Sequence, residues 1–365
     1  MSANRSKGSP PWRIPSRVCL SDLDKIISAM SSAHALPLHT VAAVCTRHGH
    51  DDGVITVQET PVAAPGPGEA LVEVELAGLG HSDALVVADR YQVKASVPFV
   101  PGSEFAGVVT AVGAGTVGVA VGDRVLGTMF VGACARHVVA DARVLQPIPD
   151  GVDAATAIAG GVAYATAYHA LRSVAGLRAG ETVLVLGAAG GVGLAAVDIA
   201  RAMGATVVGV AGGPEKAAAV TSAGAVAVID SAVDDLRGAC KEAVPAGADV
   251  VLDPVGGRWS EPALRALRPG GRFVTVGFAS GEIPSIPLNL VLLKAISIVG
   301  FEFRTFAQHR LEEFVRDRRE LASMLSDGTL RPRVASVHPL RELPAALREI
   351  ADRRAIGKVL IDVRN

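Results

Sequence analysis

The chain has 365 residues, which exceeds what one ordinary hydrophobic core supports and indicates two domains. Half of the residues are hydrophobic, 19% are charged and the formal net charge is −1. This composition excludes a disordered or fibrous chain, and the charge balance argues against nucleic acid or a membrane surface as a partner. The four cysteines, Cys19, Cys45, Cys134 and Cys240, form no CxxC pair. Reduced thiols in a cytoplasmic protein are the expected reading.

Residues 1–39 differ in composition from the rest of the chain. Their first part is polar and basic and is interrupted by Pro10, Pro11 and Pro15. These prolines argue against an amphipathic targeting helix. Leu20–Met30 could form one short helix capped by Ser21. We expect a loosely attached extension, or a chain whose true start is Met30.

From residue 40 to about residue 150, short β-type runs alternate with Gly and Pro turns. Many short strands with regular turn signals predict a barrel-like β domain. The predicted strands are Ala70–Leu76, Ala106–Val112, Arg124–Gly127, Arg136–Val139 and Val144–Pro147.

From about residue 154, apolar strands alternate with helices, which predicts a parallel sheet covered on both faces. The predicted strands are Thr182–Leu186, Thr206–Val210, Ala227–Ile229, Asp249–Leu252, Arg272–Val276 and Ile296–Val299. The predicted helices are Leu194–Met203, Pro214–Ala223, Ala232–Val244 and Trp259–Leu267. After residue 306 we expect two charged amphipathic helices and a closing strand, Lys358–Val363, that could return to the first domain.

A glycine-rich turn follows the first strand of this second domain. Strand Thr182–Leu186 leads through Gly187–Gly193 into helix Leu194–Met203, and Gly190 and Gly193 occupy two places of a G-x-G-x-x-G pattern whose first place is Ala188. Such a turn exposes helix N–H groups that hold a pyrophosphate. The turn therefore predicts dinucleotide binding. The predicted contacts are Ala189, Gly190, Gly191, Val192 and Gly193.

The end of the second strand indicates which dinucleotide binds. An acidic residue there holds the ribose 2′-hydroxyl of NAD, but this chain has Ala211, followed by Gly212 and Lys216. A small residue leaves room for a 2′-phosphate, and a nearby ammonium can neutralise it. We therefore predict NADPH, with Gly212 and Lys216 as contacts. The alternative is that Lys216 is only a solvated surface lysine and that NADH binds.

Several segments, in this order, resemble the medium-chain dehydrogenase/reductase superfamily and its zinc-free quinone oxidoreductase (zeta-crystallin-like) branch. They are Pro65-Gly66-Pro67-Gly68-Glu69, Tyr91–Gly107, Val112–Gly115 with Gly122–Val125, the glycine turn, and Gly357–Leu360. The resemblance implies an α/β fold, with a GroES-like β-barrel catalytic domain and a Rossmann doubly wound parallel-sheet cofactor domain. It implies boundaries at 40–162 for the catalytic domain, completed by 304–365, and at 163–303 for the Rossmann domain. It also suggests a homodimer.

Zinc alcohol dehydrogenases of this superfamily hold their catalytic metal with three side chains. The matching positions here are Gly80, Ser103 and Val162, none of which is a zinc ligand. His81, Asp83 and Glu104 lie near these positions, but structural roles are expected for Asp83 and Glu104. We therefore predict no metal site.

Zinc-free relatives transfer hydride from NADPH to conjugated carbonyls, so the resemblance implies a reductase of quinones, enones or enoyl thioesters. It implies Tyr91 as a substrate contact or proton donor, although plain packing in the β domain is an equal alternative for Tyr91. The resemblance implies cofactor contacts at Thr166, Gly277, Phe278, Ala279 and Phe301. The family's Asn and Tyr are replaced here by Gly80 and Leu85, so the acceptor pocket is expected to differ from the common one.

Two other functions stay open on the sequence alone. An alcohol dehydrogenase would need a metal that the chain has no ligands to hold. A protein that binds NADPH without turnover, as a sensor or structural module, would be consistent with the changes at Gly80 and Leu85.

Overall fold

A computed structural model of the chain describes residue 36, residues 39–49 and residues 51–365. The predicted helix Leu20–Met30 lies outside these residues. Residues 39–49 and 51–365 belong to one contiguous unit of contacts. No helix in the described ranges is long and apolar enough to cross a bilayer.

The first part of the chain is built from short strands, as predicted. The strands are β1 (His39–Cys45), β2 (Ile55–Pro61), β3 (Glu69–Leu79), β4 (Glu104–Val112), β5 (Arg124–Thr128), β6 (His137–Asp141) and β7 (Leu145–Pro147). Three short helices accompany them: α1 (His81–Val87), α2 (Ala154–Ala159) and α3 (Val162–Tyr168). β1 and β2 form an antiparallel pair that the predicted strands did not include.

The second part alternates strands and helices. Its strands are β8 (Thr182–Val185), β9 (Thr206–Ala211), β10 (Ala227–Asp230), β11 (Ala248–Asp253), β12 (Leu267–Thr275) and β13 (Ser297–Gly300). Its helices are α4 (Gly191–Ala202), α5 (Pro214–Ala223), α6 (Leu236–Ala243), α7 (Ser260–Arg265), α8 (Leu288–Lys294), α9 (Phe303–His309) and α10 (Leu311–Ser326). The chain closes with β14 (Val334–Pro339), α11 (Leu343–Ala351) and β15 (Lys358–Asp362).

Two large sheets organise these elements. The six-stranded sheet has the order β10-β9-β8-β11-β12-β13 and is parallel throughout. This is the strand order of a doubly wound dinucleotide-binding domain, with its switch point between β8 and β11. The seven-stranded sheet has the order β14-β15-β3-β4-β5-β7, and β6 pairs with β3. The closing strand therefore returns to the first sheet, beside β3, as the sequence suggested.

Several predicted elements were wrong in extent. The helix after the glycine turn begins at Gly191, because Gly190 in extended conformation ends the turn. The helix predicted over Ala232–Val244 begins only at Leu236, because the Asp235 side chain accepts a hydrogen bond from the Gly238 N–H and starts the helix there. Leu267 is not helical but begins β12.

The last part of the chain was also predicted incompletely. It contains three helices rather than two, and the strand β14 was not predicted. Phe306 of α9 and Leu321 of α10 belong to the core beneath the parallel sheet. Leu340, Leu347 and Val359 belong instead to the core around β1–β7. We call the part of the molecule built on β1–β7, β14, α11 and β15 the barrel lobe. The predicted domain boundaries stay predictions.

Candidate functional site: a dinucleotide cleft between two lobes

The glycine turn connects β8 to α4 at the switch point of the parallel sheet. A Cβ on Gly193 would lie 2.1 Å from the Gly187 carbonyl oxygen, so only glycine permits this close approach of helix and turn. Gly190 is the N-cap of α4 and supplies no side-chain cap. The first N–H groups of α4 therefore face outward with the positive end of the helix dipole, which suits a phosphate group.

Small residues end β9, and a lysine follows them on α5. β9 ends at Ala211, and a Cβ on Gly212 would meet the Ser231 hydroxyl oxygen at 2.9 Å. Lys216 lies in the first turn of α5, and its Nζ donates a hydrogen bond of 2.5 Å to the carbonyl oxygen of Arg353. Gly212 and Lys216 therefore follow the end of β9, and their contact with a 2′-phosphate stays a prediction.

Arg353 joins the two ends of the predicted site, and sequence analysis missed it. Its backbone is left-handed, with φ of 57°, and its guanidinium donates hydrogen bonds of 3.3 Å to the carbonyl oxygens of Ala279 and Ser280. One residue therefore touches Lys216 through its carbonyl and the Gly277–Ala279 segment through its side chain. No motif surrounds Arg353, so no sequence signal marked it.

The cleft is electropositive where the lobes approach each other. Burial lowers the pKa of the His81 imidazole, and the charges of Arg353 and Arg90 lower it further. Arg90 also reaches toward the other lobe, since a Cβ on Gly281 would lie 3.6 Å from its guanidinium. Within the described residues, no carboxylate forms an ion pair with Arg90 or Arg353. Such a concentration of positive charge favours a ligand rich in phosphate.

Asp253, which sequence analysis also missed, fixes the loop that contacts the segment Gly277–Ala279. This segment is the one predicted to cover the nicotinamide. Asp253 is fully buried at the end of β11, and its carboxylate accepts hydrogen bonds from the N–H groups of Val255 and Gly256 and from the Ser260 hydroxyl. The loop so fixed accepts hydrogen bonds from the N–H groups of Ala279 and Ser280. An acid at the end of an apolar strand and before a Gly-Gly pair was the available signal.

The remaining predicted cofactor residues occupy different environments. Thr166 lies on α3 with 9% of its surface exposed, and Phe278 is 40% exposed. The Phe301 ring is buried, 5.5 Å from the Phe306 ring and 6.2 Å from the His169 ring. The Phe301 side chain therefore belongs to the core.

The three positions that hold zinc in related dehydrogenases contain a different polar network. Asp83 is buried, and its Oδ2 accepts hydrogen bonds from the Gly80 N–H at 2.7 Å and from the Ser103 hydroxyl at 3.0 Å. Burial raises the pKa of the Asp83 carboxyl to about 6, and the bond from Gly80 opposes that rise. In the described part of the chain, no three His, Cys, Asp or Glu side chains are grouped to hold a metal ion.

A buried ion pair lies beside this network. The Lys358 ammonium donates to Oε1 of Glu104, and Oε2 of Glu104 accepts a hydrogen bond of 2.8 Å from the Val162 N–H. Glu104 is 1% exposed and Lys358 is 6% exposed. The pair thus connects the barrel strands β4 and β15 to the first residue of α3, the helix that carries Thr166. Glu104 and Asp83 have the structural roles that the sequence predicted.

Tyr91 lies on the barrel lobe, half-buried against its core. Its ring stacks on Phe130, with 6.4 Å between centroids and 29° between planes. In the described residues its hydroxyl has no hydrogen-bond partner. Tyr91 and Phe130 can form an aromatic wall with one free hydroxyl.

Comparisons with known proteins agree with this architecture. Residues 66–170 match the alcohol dehydrogenase GroES-like domain, and residues 191–318 match the zinc-binding dehydrogenase family. A quinone oxidoreductase-like protein 2 from Rattus norvegicus is 34% identical over 350 residues, covering 95% of this chain and 99% of the relative. These matches confirm the predicted GroES-like and Rossmann architecture.

Two solved structures bear on the site. A mycobacterial protein complexed with NADPH is 29% identical, with a TM-score of 0.78 over 88% of this chain and 99% of that chain. The CurK enoyl reductase is 25% identical, with a TM-score of 0.79 over 89% of this chain and 99% of that chain.

Proposed function

The chain belongs to the medium-chain dehydrogenase/reductase superfamily, and we propose that it is a zinc-independent reductase that transfers hydride from NADPH to a conjugated carbonyl. The observation that carries this proposal is the electropositive cleft in which Arg353 contacts both Lys216 and the Gly277–Ala279 segment. In the described residues no group of side chains near it could hold a metal ion. Relatives named quinone oxidoreductase-like protein and enoyl reductase support the reaction class.

The residues of the cleft fit NADPH. The uncapped N-terminus of α4 would hold the pyrophosphate, and Lys216 beside the small residues Ala211 and Gly212 would hold the 2′-phosphate. Bound NADPH would supply the hydride. The structural relative complexed with NADPH supports this choice over NADH.

The side chains of the protein would position the acceptor and stabilise the charge that develops on it. In hydride addition to a conjugated carbonyl, negative charge grows on the carbonyl oxygen, and a hydrogen-bond donor lowers the barrier most. The Tyr91 hydroxyl has no partner in the described residues and is our candidate for this donor. The Glu104–Lys358 pair holds the start of α3 and thereby Thr166, and its two charges compensate each other.

A panel of quinones, enones and enoyl-CoA esters with NADPH, followed as loss of cofactor absorbance, tests the reaction. We expect turnover of at least one class, unchanged by a chelator. An alcohol dehydrogenase would instead require added zinc for activity. Tight NADPH binding with no acceptor reduced across the panel would support a sensor or structural role and would reject our proposal.

We also propose that the protein is a homodimer. The apolar side chains Ile283, Leu288, Leu292 and Leu293 are each at least 75% exposed, and they precede in the chain β13, an edge strand of the parallel sheet. A self-complementary apolar edge fits a second copy. We expect Leu292→Asp to convert a dimer to a monomer in light scattering, whereas a wild-type monomer would contradict this proposal. The cytoplasmic location stays a proposal.

A further inference from the structure

A second groove lies between the barrel lobe and α10. Its apolar wall comprises Leu126, Ile148, Val152, Leu321 and Leu325, and the Arg318 side chain enters it. The groove encloses about 70 Å³. That is space for roughly five waters or for a small organic ligand. None of the predicted catalytic or cofactor-binding residues lines it.

Arg318 carries a charge that no acid of the described chain compensates. Its Nε donates a hydrogen bond of 2.8 Å to the Gln146 side-chain oxygen, and its guanidinium lies over the Phe314 ring, 5.2 Å from the centroid. No carboxylate in the described ranges lies within ion-pair distance of it. Burial lowers the pKa of the Arg318 guanidinium to about 10, so it stays charged at neutral pH.

The nearest acids on α10 are used elsewhere. Asp317 accepts hydrogen bonds from His169 and Ser173, and Glu320 accepts one of 2.6 Å from the Tyr168 hydroxyl. The partners of both acids therefore lie on α3 and on the segment that follows it. A half-buried charge without a counter-charge is unfavourable, and an anion that binds it is correspondingly stabilised.

We propose that this groove is a ligand site for a small carboxylate with an apolar body, such as an aryl or short acyl carboxylate. The carboxylate lies on the guanidinium N–H groups of Arg318 that Gln146 leaves free, and the apolar body lies against Leu126, Leu321 and Leu325. Planar guanidinium and carboxylate groups match in a two-bond geometry, and the leucines exclude water from the body of the ligand.

Binding of benzoate to the full chain without cofactor tests the proposal, so the result does not depend on the reductase activity. The methyl resonances of Leu126, Leu321 and Leu325 in NMR titration report occupancy of the groove. We expect a ligand of this size to bind with a Kd of about 1 mM. We expect the neutral isostere benzamide to bind at least about tenfold more weakly, because it cannot satisfy the charge.

Three variants make the test specific. Arg318→Gln removes the charge, and we expect it to weaken benzoate binding at least about tenfold. Arg319→Gln is the matched control at an exposed neighbour and should bind as wild type does. Ala322→Phe fills the groove from an exposed position and keeps the charge, so it decides the question if Arg318→Gln fails to fold. The proposal is overturned if wild type shows no groove shifts, or if Ala322→Phe or a folded Arg318→Gln variant binds benzoate like wild type.

Discussion

Lys216→Ala should separate the two nicotinamide cofactors. The Lys216 ammonium uses one of its three protons to reach the Arg353 carbonyl, which leaves two for an anion at the end of β9. The side chain is half-buried, so its position is more restricted than that of a solvated surface lysine. NADPH carries a phosphate at this place and NADH carries a hydroxyl, so only NADPH should lose an interaction.

The size of the effect follows from the type of bond. A hydrogen bond to a charged group contributes about 1.5–3 kcal/mol, and each 1.4 kcal/mol corresponds to about tenfold in Kd. We therefore expect Lys216→Ala to weaken NADPH binding by about 10- to 100-fold, with NADH binding unchanged. Because part of the attraction crosses solvent, the loss should shrink as ionic strength rises.

Fluorescence titration with each cofactor measures both dissociation constants in the absence of any acceptor. Lys241→Ala removes an exposed lysine of α6 and serves as the matched control, since it should change neither constant. If Lys216→Ala leaves NADPH binding intact, the assignment of the 2′-phosphate site is refuted. An equal loss for both cofactors would show that Lys216 acts only by holding Arg353.

Three further predictions concern the barrel lobe. Tyr91→Phe should lower kcat by about 100-fold through loss of a donor to the enolate oxygen, with NADPH affinity unchanged; an unaltered kcat would reduce Tyr91 to packing. Glu104→Leu should lower the free energy of unfolding by about 3–5 kcal/mol, because the buried Lys358 loses its partner. Adding Lys358→Met to this variant should restore most of the lost stability, and urea titrations measure both changes. The Asp83 carboxyl binds its proton more tightly in the folded chain than in the unfolded chain, where its pKa is about 3.8. The free energy of unfolding should thus fall by about 2 kcal/mol as pH rises from about 4 to 6, out of about 3 kcal/mol over the whole titration, and Asp83→Asn should remove most of that fall; the same slope in the variant would contradict the assignment.

Local sequence patterns were sufficient to predict the structure where one continuous segment forms a complete structural motif. The strand, glycine turn and helix from Thr182 to Ala202 could be predicted because turn geometry and helix dipole act within about twenty residues. α5 was predicted at both ends, since Pro214 starts it and Gly224, with φ of 118°, ends it.

Residues whose roles depend on distant contacts were beyond such patterns. Arg353 and Lys216 are 137 positions apart, and Lys358 and Glu104 are 254 positions apart, yet each pair is in contact. The Phe301 ring is buried because aromatic partners from other elements surround it, and the predicted contact of its segment with the cofactor stays a prediction. Tertiary packing decided these positions, and no spacing in the sequence encodes it.

The proposed reaction makes one atom-level claim, which is that hydride goes to the β-carbon of a conjugated carbonyl. Reduction of an α,β-unsaturated ketone with NADPH deuterated at the transferable C4 position tests it directly. We predict a saturated ketone with deuterium at the β-carbon, with or without chelator. Deuterium on the carbonyl carbon of an alcohol product would contradict the account.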